Sequence, residues 1–296
     1  MQQINLTGLG VALITPFQSS GEIDEAALLR LVDHQLQNEA GYLVVLGTTA
    51  ETPTLSLEER DKIVRLVVER VNGKLPIVVG LGGNNTLKVA KRLQNSDLSG
   101  VSAILSVVPY YNKPTQEGIY QHYKYLAGVS PLPLILYNVP GRTGVNMSAG
   151  TTLRLARESK NIIAIKEASG NLEQIKEIIE NKPAGFQVIS GDDNLIVPLI
   201  KMGAEGVISV LGNAFPKEIS RLTHSVLNGE IDEAESLNQT FSELCELLFT
   251  DGNPAGIKMM LHCLGYIENR LRLPLVPVSA PVCEQIKRAV ERISGR

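Results

Sequence analysis

Eight short apolar runs recur along the 296-residue chain: GVALITPF, GYLVVLGT, LPIVVGLG, VSAILSVVP, LPLILYNVP, IIAIKEAS, FQVISGDD and GVISVLGN. Between consecutive runs lie stretches such as Asp24 to Glu39 and Ser56 to Val71, with apolar residues at helical spacing. This alternation is the strongest constraint on what the chain can become. Near-continuous Val, Ile and Leu are expected of strands covered on both faces, and in a parallel sheet the crossover helices supply that cover. An open, doubly wound sheet would leave two unprotected edges, whereas closure removes them, so the pattern predicts an α/β fold of the (β/α)8 TIM-barrel type. Asp24, Ser56, Thr86, Thr115, Ser148 and Asn171 are placed to cap helices. A helix from near Phe215 completes a barrel over 1–230. The segments Ile231 to Phe249, Gly252 to Leu264 and Ala280 to Ile293 then predict a C-terminal helical extension over 231–296.

Composition narrows the function classes. With 44% hydrophobic and 20% charged residues the chain can bury a large core, and a net charge of −3 with dispersed Lys and Arg leaves no footprint for nucleic acid. The opening MQQINLTGLGVALITPF lacks the basic flank and long apolar stretch of a secretory signal, and no run approaches a membrane span, so a soluble cytoplasmic protein is expected. Cys245, Cys263 and Cys283 are odd in number and show no ligand spacing, which fits reduced thiols. His34, His122, His224 and His262 stand singly, so no metal site is expected.

In this fold functional groups gather at the C-terminal ends of strands, where the strand fixes the backbone and the loop frees the side chain. Lys166 ends the run Ile162 to Ile165. Desolvation along an apolar wall disfavours an ammonium, and a neutral amine is what Schiff-base chemistry on a carbonyl needs. Pairing of Lys166 with Glu167 or Asp192, sealing the barrel mouth, is the plainer alternative. Tyr137 ends the preceding strand, so its phenol can face the lysine and carry protons; a core tyrosine with a satisfied hydroxyl is the other reading. The GTTAE turn offers Thr48 and Thr49 for a small carboxylate, or simple capping chemistry. Arg142, in PGRTG, has the planar fork for a second carboxylate or is a surface arginine. GLGGNN at 80–85 does not fit a dinucleotide fingerprint and is a tight turn.

Taken in order, GTTAE, PYYNKPTQEG, YNVPGRTG, IKEASG and SGDD resemble the dihydrodipicolinate synthases, a group within the N-acetylneuraminate lyase family of class I aldolases, over essentially the whole chain. The resemblance implies condensation of pyruvate with L-aspartate 4-semialdehyde through a Schiff base on Lys166, without metal or organic cofactor. It implies a proton relay of Tyr137, Thr48 and Tyr111, the last entering from a neighbouring subunit, and a homotetramer built as a dimer of dimers. Thr49 then contacts the pyruvate carboxylate, Arg142 the semialdehyde carboxylate, and Gly191 and Ile208 form backbone elements of the site.

Two departures stand out. Ala50 replaces the family's usual glycine, which a helical or extended backbone tolerates and a positive-φ turn resists. At the family's lysine-inhibitor positions Asn84, Glu51 and Tyr110 are suitable, whereas Leu57, Arg60 and Lys88 replace His, His and Glu, which argues against inhibition by lysine. A sibling aldolase that cleaves a sugar acid shares Lys166 and Tyr137 and differs in the acceptor region, where Arg142 favours a short anionic aldehyde. A non-catalytic keto-acid binder would not need the full catalytic set, and a phosphate-binding isomerase would need a glycine-rich cradle that the last two loops lack.

Overall fold

Side chains alternate along each strand of the computed structural model, which describes residues 4–295, and the alternation sorts them into two hydrophobic layers. Residues 1–3 of the opening segment and Arg296 of the predicted extension lie outside the described residues. The strands are β1 (Gly8–Ala12), β2 (Tyr42–Val45), β3 (Ile77–Gly80), β4 (Ala103–Val107), β5 (Leu134–Asn138), β6 (Ile162–Glu167), β7 (Gln187–Ser190) and β8 (Gly206–Ser209). They pair in parallel in chain order, and β8 pairs with β1 to close the barrel. The inner layer contains Ala12, Tyr42, Val44, Val78, Leu105, Ile135, Ala164, Ile189 and Ile208, with Ile4 and Leu6 packed into the same cluster. A Cβ on Gly10 would stand 2.2 Å from the Tyr42 ring, so that glycine makes room for the aromatic inside the barrel.

The outer layer joins strand residues such as Leu9, Val11, Leu43 and Ile104 to the helices around the barrel. These are α1 (Glu25–Gln37), α2 (Leu57–Val71), α3 (Thr86–Asn95), α4 (Gln116–Val129), α5 (Pro140–Thr143), α6 (Ala149–Glu158), α7 (Leu172–Asn181), α8 (Ile196–Met202) and α9 (Pro216–Leu227). Asp24, Ser56, Thr115, Ser148 and Asn171 cap helices as expected, each accepting from an amide in the first turn. At α3 the expectation fails by one residue: Asn85 is the cap, accepting from the Lys88 amide, and Thr86 is already helical. The Thr86 hydroxyl is instead hydrogen-bonded to His122 Nδ1 at 2.8 Å. The first apolar run is also shifted, because β1 begins at Gly8 and Leu13 to Phe17 leaves the sheet.

The last helices are α10 (Ile231–Thr250), α11 (Ala255–Cys263) and α12 (Ala280–Ser294). Their apolar faces, including Leu244, Leu248, Met260 and Ile286, belong to the same hydrophobic cluster as the barrel's outer layer. The Phe215 and Phe241 rings meet at 5.4 Å across the junction of α9 and α10. Among the described residues no helix is long and apolar enough to cross a membrane.

His122, on α4, is 4% exposed, and burial pushes its imidazole down to about 4. The unfolded chain takes up a proton as pH falls through about 6.5, whereas the folded chain resists until about 4, so stability is lost across that window. The size of the effect is on the order of 3 kcal/mol. Thermal melts from pH 7 to 4 should therefore fall less steeply for His122→Phe than for the parent, and equal slopes would contradict this assignment.

Candidate active site

Pairing between β5 and β6 slips by one residue: Leu134 faces Ile162, but Ile135 faces Ala164, leaving Ile163 as an extra residue. Ile162 and Ile165 both belong to the outer layer, and Ala164 to the inner one. Strict alternation from Ile162 would send Lys166 outward, so the bulge brings this side chain into the barrel mouth. There Lys166 is the register partner of Tyr137 on β5, with Nζ 4.7 Å from the phenol ring centroid. Both are buried, at 5% and 6% exposure. The Tyr137 hydroxyl lies 3.5 Å from Thr48 Oγ1, the outer limit of a hydrogen bond.

Glu167, next along β6, points the other way and does not pair with the lysine. Its carboxylate accepts from Asn138 Nδ2 at 3.0 and 3.2 Å, the Ser169 amide at 3.0 Å and Gln174 Nε2 at 3.2 Å. Burial pushes its carboxyl up, and these donors oppose the shift. Asp192 is likewise raised by burial, against the pull of the Lys166 and Arg142 charges, yet among the described residues no ion pair within 4 Å joins it to Lys166. Neighbouring Asp193 is buried and structural: it accepts from the Ser209 hydroxyl and from the Val210 and Leu211 amides.

Gly191 passes directly behind the lysine. Its amide donates to the Glu167 carbonyl at 2.8 Å, and an added Cβ would sit 2.5 Å from Ala168 Cβ and 3.1 Å from Lys166 Cε. Ile208 is fully buried in the inner layer of β8.

Thr48 to Ala50 form a single 3-10 turn after β2, anchored by the Thr15 hydroxyl donating to the Ala50 carbonyl at 2.8 Å. Ala50 has no positive φ, so its methyl is accommodated; the left-handed residue is Glu51, at φ 54°. Thr49 is 2% exposed and accepts a hydrogen bond from Asn253 Nδ2 at 3.2 Å. The Asn253 carbonyl in turn accepts from Arg142 Nη2 at 3.3 Å, which ties exposed Arg142 to the buried threonine. Asn253 escaped sequence reasoning because it lies in the link before α11, more than 200 residues from Thr49. Its local sequence, Asp-Gly-Asn-Pro at 251–254, reads as an ordinary turn between two helices.

Within one chain Tyr111 stands apart from Lys166, Tyr137 and Thr48, 84% exposed on a left-handed backbone, φ 74°. One expectation is modified. Glu51 is 1% exposed and paired with Lys258, so it cannot serve as an open effector ligand. Arg60 is also engaged, donating to the Leu55 and Thr52 carbonyls at 3.1 and 2.7 Å. Surface grooves of about 480 and 620 Å³ lie on the outer helices, beside Leu87 and Tyr125 and beside Asn171 and Glu177, and Lys166 lines neither. The mouth is the better candidate because its buried polar groups converge. Among the described residues no group of three or more His, Cys, Asp or Glu is arranged to hold a metal ion.

A (β/α)8 barrel with a buried lysine and tyrosine paired at its C-terminal mouth is the architecture of a lyase of the class I aldolase type. The chain belongs to the Dihydrodipicolinate synthetase family, whose model matches residues 5–293. It is 61% identical over 287 residues to the 4-hydroxy-tetrahydrodipicolinate synthase of Phocaeicola vulgatus, covering 97% of each chain. With that of Azobacteroides pseudotrichonymphae it shares 62% identity over 290 residues, 98% of each. A solved 4-hydroxy-tetrahydrodipicolinate synthase from Methylacidiphilum fumariolicum superposes with a TM-score of 0.95 at 39% identity, over 98% of this chain and 97% of that one.

The contact of Gly191 with the lysine stem yields a direct test. Gly191→Ala should lower kcat/KM by roughly tenfold or more, because relieving the 2.5 Å clash with Ala168 shifts the chain that follows Lys166 and crowds the lysine stem. A variant with parental turnover would contradict the assignment.

Proposed function

We propose that the chain condenses pyruvate with L-aspartate 4-semialdehyde to give 4-hydroxy-tetrahydrodipicolinate, a step toward lysine and diaminopimelate, in the cytoplasm. The observation that carries this reading is the register pairing of Lys166 with Tyr137 beside Thr48 at the barrel mouth. As a neutral amine, Lys166 adds to C2 of pyruvate, and loss of water leaves the imine. Tyr137 and Thr48 carry the protons this requires. Loss of a proton from C3 gives the enamine, whose carbon forms the new bond to the aldehyde carbon while the aldehyde oxygen takes up a proton. The amine of the former semialdehyde then attacks C2, closing the ring and releasing Lys166. The protonated imine formed on Lys166 is the electron sink, so the scheme uses neither metal nor organic cofactor.

Thr49 and the neighbouring backbone hold the pyruvate carboxylate, and Arg142 holds that of the semialdehyde. Gly191 and Ile208 supply the close walls. Residues 1–230 carry the chemistry, and 231–296 brace it, with Asn253 reaching Thr49.

The working form is a homotetramer, a dimer of dimers, in which Tyr111 of one copy completes the relay of its neighbour. An aromatic side chain 84% exposed on a left-handed backbone is poorly placed for a free surface, which supports a role against another chain.

A coupled assay should detect condensation with L-aspartate 4-semialdehyde and negligible cleavage of sugar acids; the reverse pattern would point to the sibling aldolase. Mixing and reassembling two inactive variants, Tyr111→Ala and Lys166→Ala, should restore activity approaching roughly a quarter of the parent, because one site per mixed pair is complete. Absence of any recovery, despite mixed assemblies, would refute sharing of Tyr111.

A further inference from the structure

Glu51 follows the turn that carries Thr48 and Thr49, and its carboxylate is fully buried against the Lys258 ammonium of α11. Lys258 also donates to the Arg270 carbonyl at 2.9 Å. The other Glu51 oxygen accepts the Arg272 amide at 3.0 Å. The Arg272 guanidinium continues the network, bonding Glu59 at 2.6 and 2.8 Å, the Thr54 carbonyl at 3.1 Å and the Gly21 carbonyl at 2.9 Å. Phe17 is contacted by both cations, with Lys258 Nζ 4.2 Å and Arg272 Cζ 4.4 Å from its ring centroid.

Nothing in the chemistry proposed above uses these charges. Taking an ion pair wholly out of water is costly, and replacing one with neutral groups of similar size is often harmless to stability. Such a pair is therefore a poor device for stability alone. Its location is the informative feature: it grips the left-handed residue that ends the Thr48 to Ala50 turn, while Asn253, five positions before Lys258, grips Thr49 from the same segment.

We propose that Glu51 and Lys258, braced by Arg272, are positioning residues that hold the Thr48 and Thr49 hydroxyls at the barrel mouth, making the C-terminal helices part of the catalytic apparatus. This rests on the roles proposed for those threonines. Burial pushes the Lys258 ammonium down to about 8, and the adjacent Glu51 carboxylate opposes that shift. An ion pair specifies direction and distance more sharply than apolar contacts, and a displacement of about 1 Å in a reacting group can lower turnover a hundredfold.

The test compares the parent with Lys258→Met, Glu51→Gln and the double variant Glu51→Gln/Lys258→Met. Lys258→Met should lose both thermal stability and turnover, because it strands a buried carboxylate. The double variant should regain stability yet keep kcat at least tenfold below the parent. Adding Thr48→Val should cost it much less than the same change costs the parent. Amide hydrogen exchange over residues 47–55 should also quicken at least tenfold in the double variant, with β6 unchanged. Should the double variant not fold, Glu51→Gln carries the same comparisons. Parental turnover and unchanged exchange in a folded variant would overturn the proposal. A parent that fails to condense the two substrates would instead sink the functional reading, while the exchange comparison still decides whether the pair holds the turn.

Discussion

A single extra residue in β6 decides which face of that strand meets the interior of the barrel. With Ile163 bulged, Ile162 and Ile165 pack against the helices while Lys166 turns inward beside Tyr137. A strand is periodic in two, so a slip of one exchanges every side chain beyond it between the faces. The same bulge that brings the lysine in sends Glu167 out, into a cage of Asn138, Ser169 and Gln174. The amine is thereby separated from its nearest carboxylate in sequence and set beside the face of a phenol.

Around that amine the mouth is assembled from widely separated segments. Thr15 fixes the Ala50 carbonyl, Asn253 fixes Thr49, and Gly191 leaves space for the lysine stem. Each contact is modest alone. Together they place hydroxyls, amine and phenol on rigid elements, with the flexible side chains constrained by packing, which is the condition for a site whose groups must act in concert. Tyr111 stands outside this arrangement on an exposed, left-handed backbone, and its proposed contribution depends on a second copy of the chain.

The barrel was legible because each strand run is apolar on both faces and each crossover has a helical period, a pattern that survives without knowledge of contacts. Caps were legible where the capping side chain is the first polar residue before the helix, as at Asp24, Ser56 and Asn171. At α3 the expected cap, Thr86, lies one residue inside the helix: Asn85 caps it, and the Thr86 hydroxyl pairs with His122, a partner distant in sequence. Lys166 and Tyr137 stood out as polar ends of apolar runs. The bulge did not, since Ile162 to Ile165 reads as uninterrupted strand and every residue in it is apolar. Asn253, Lys258 and Arg272 were silent for a different reason: their partners in the mouth lie roughly 200 residues away, and only closure of the barrel brings α11 and the link after it over that turn. Glu51 could not be recognised as buried from an acidic residue in a turn.

We propose that Lys166 captures pyruvate covalently. Borohydride reduction in the presence of pyruvate, followed by peptide mass analysis, should attach one reduced pyruvyl group per chain at Lys166 and none to Lys166→Ala. An adduct on a different side chain, or a parent enzyme that gains no mass, would contradict the account.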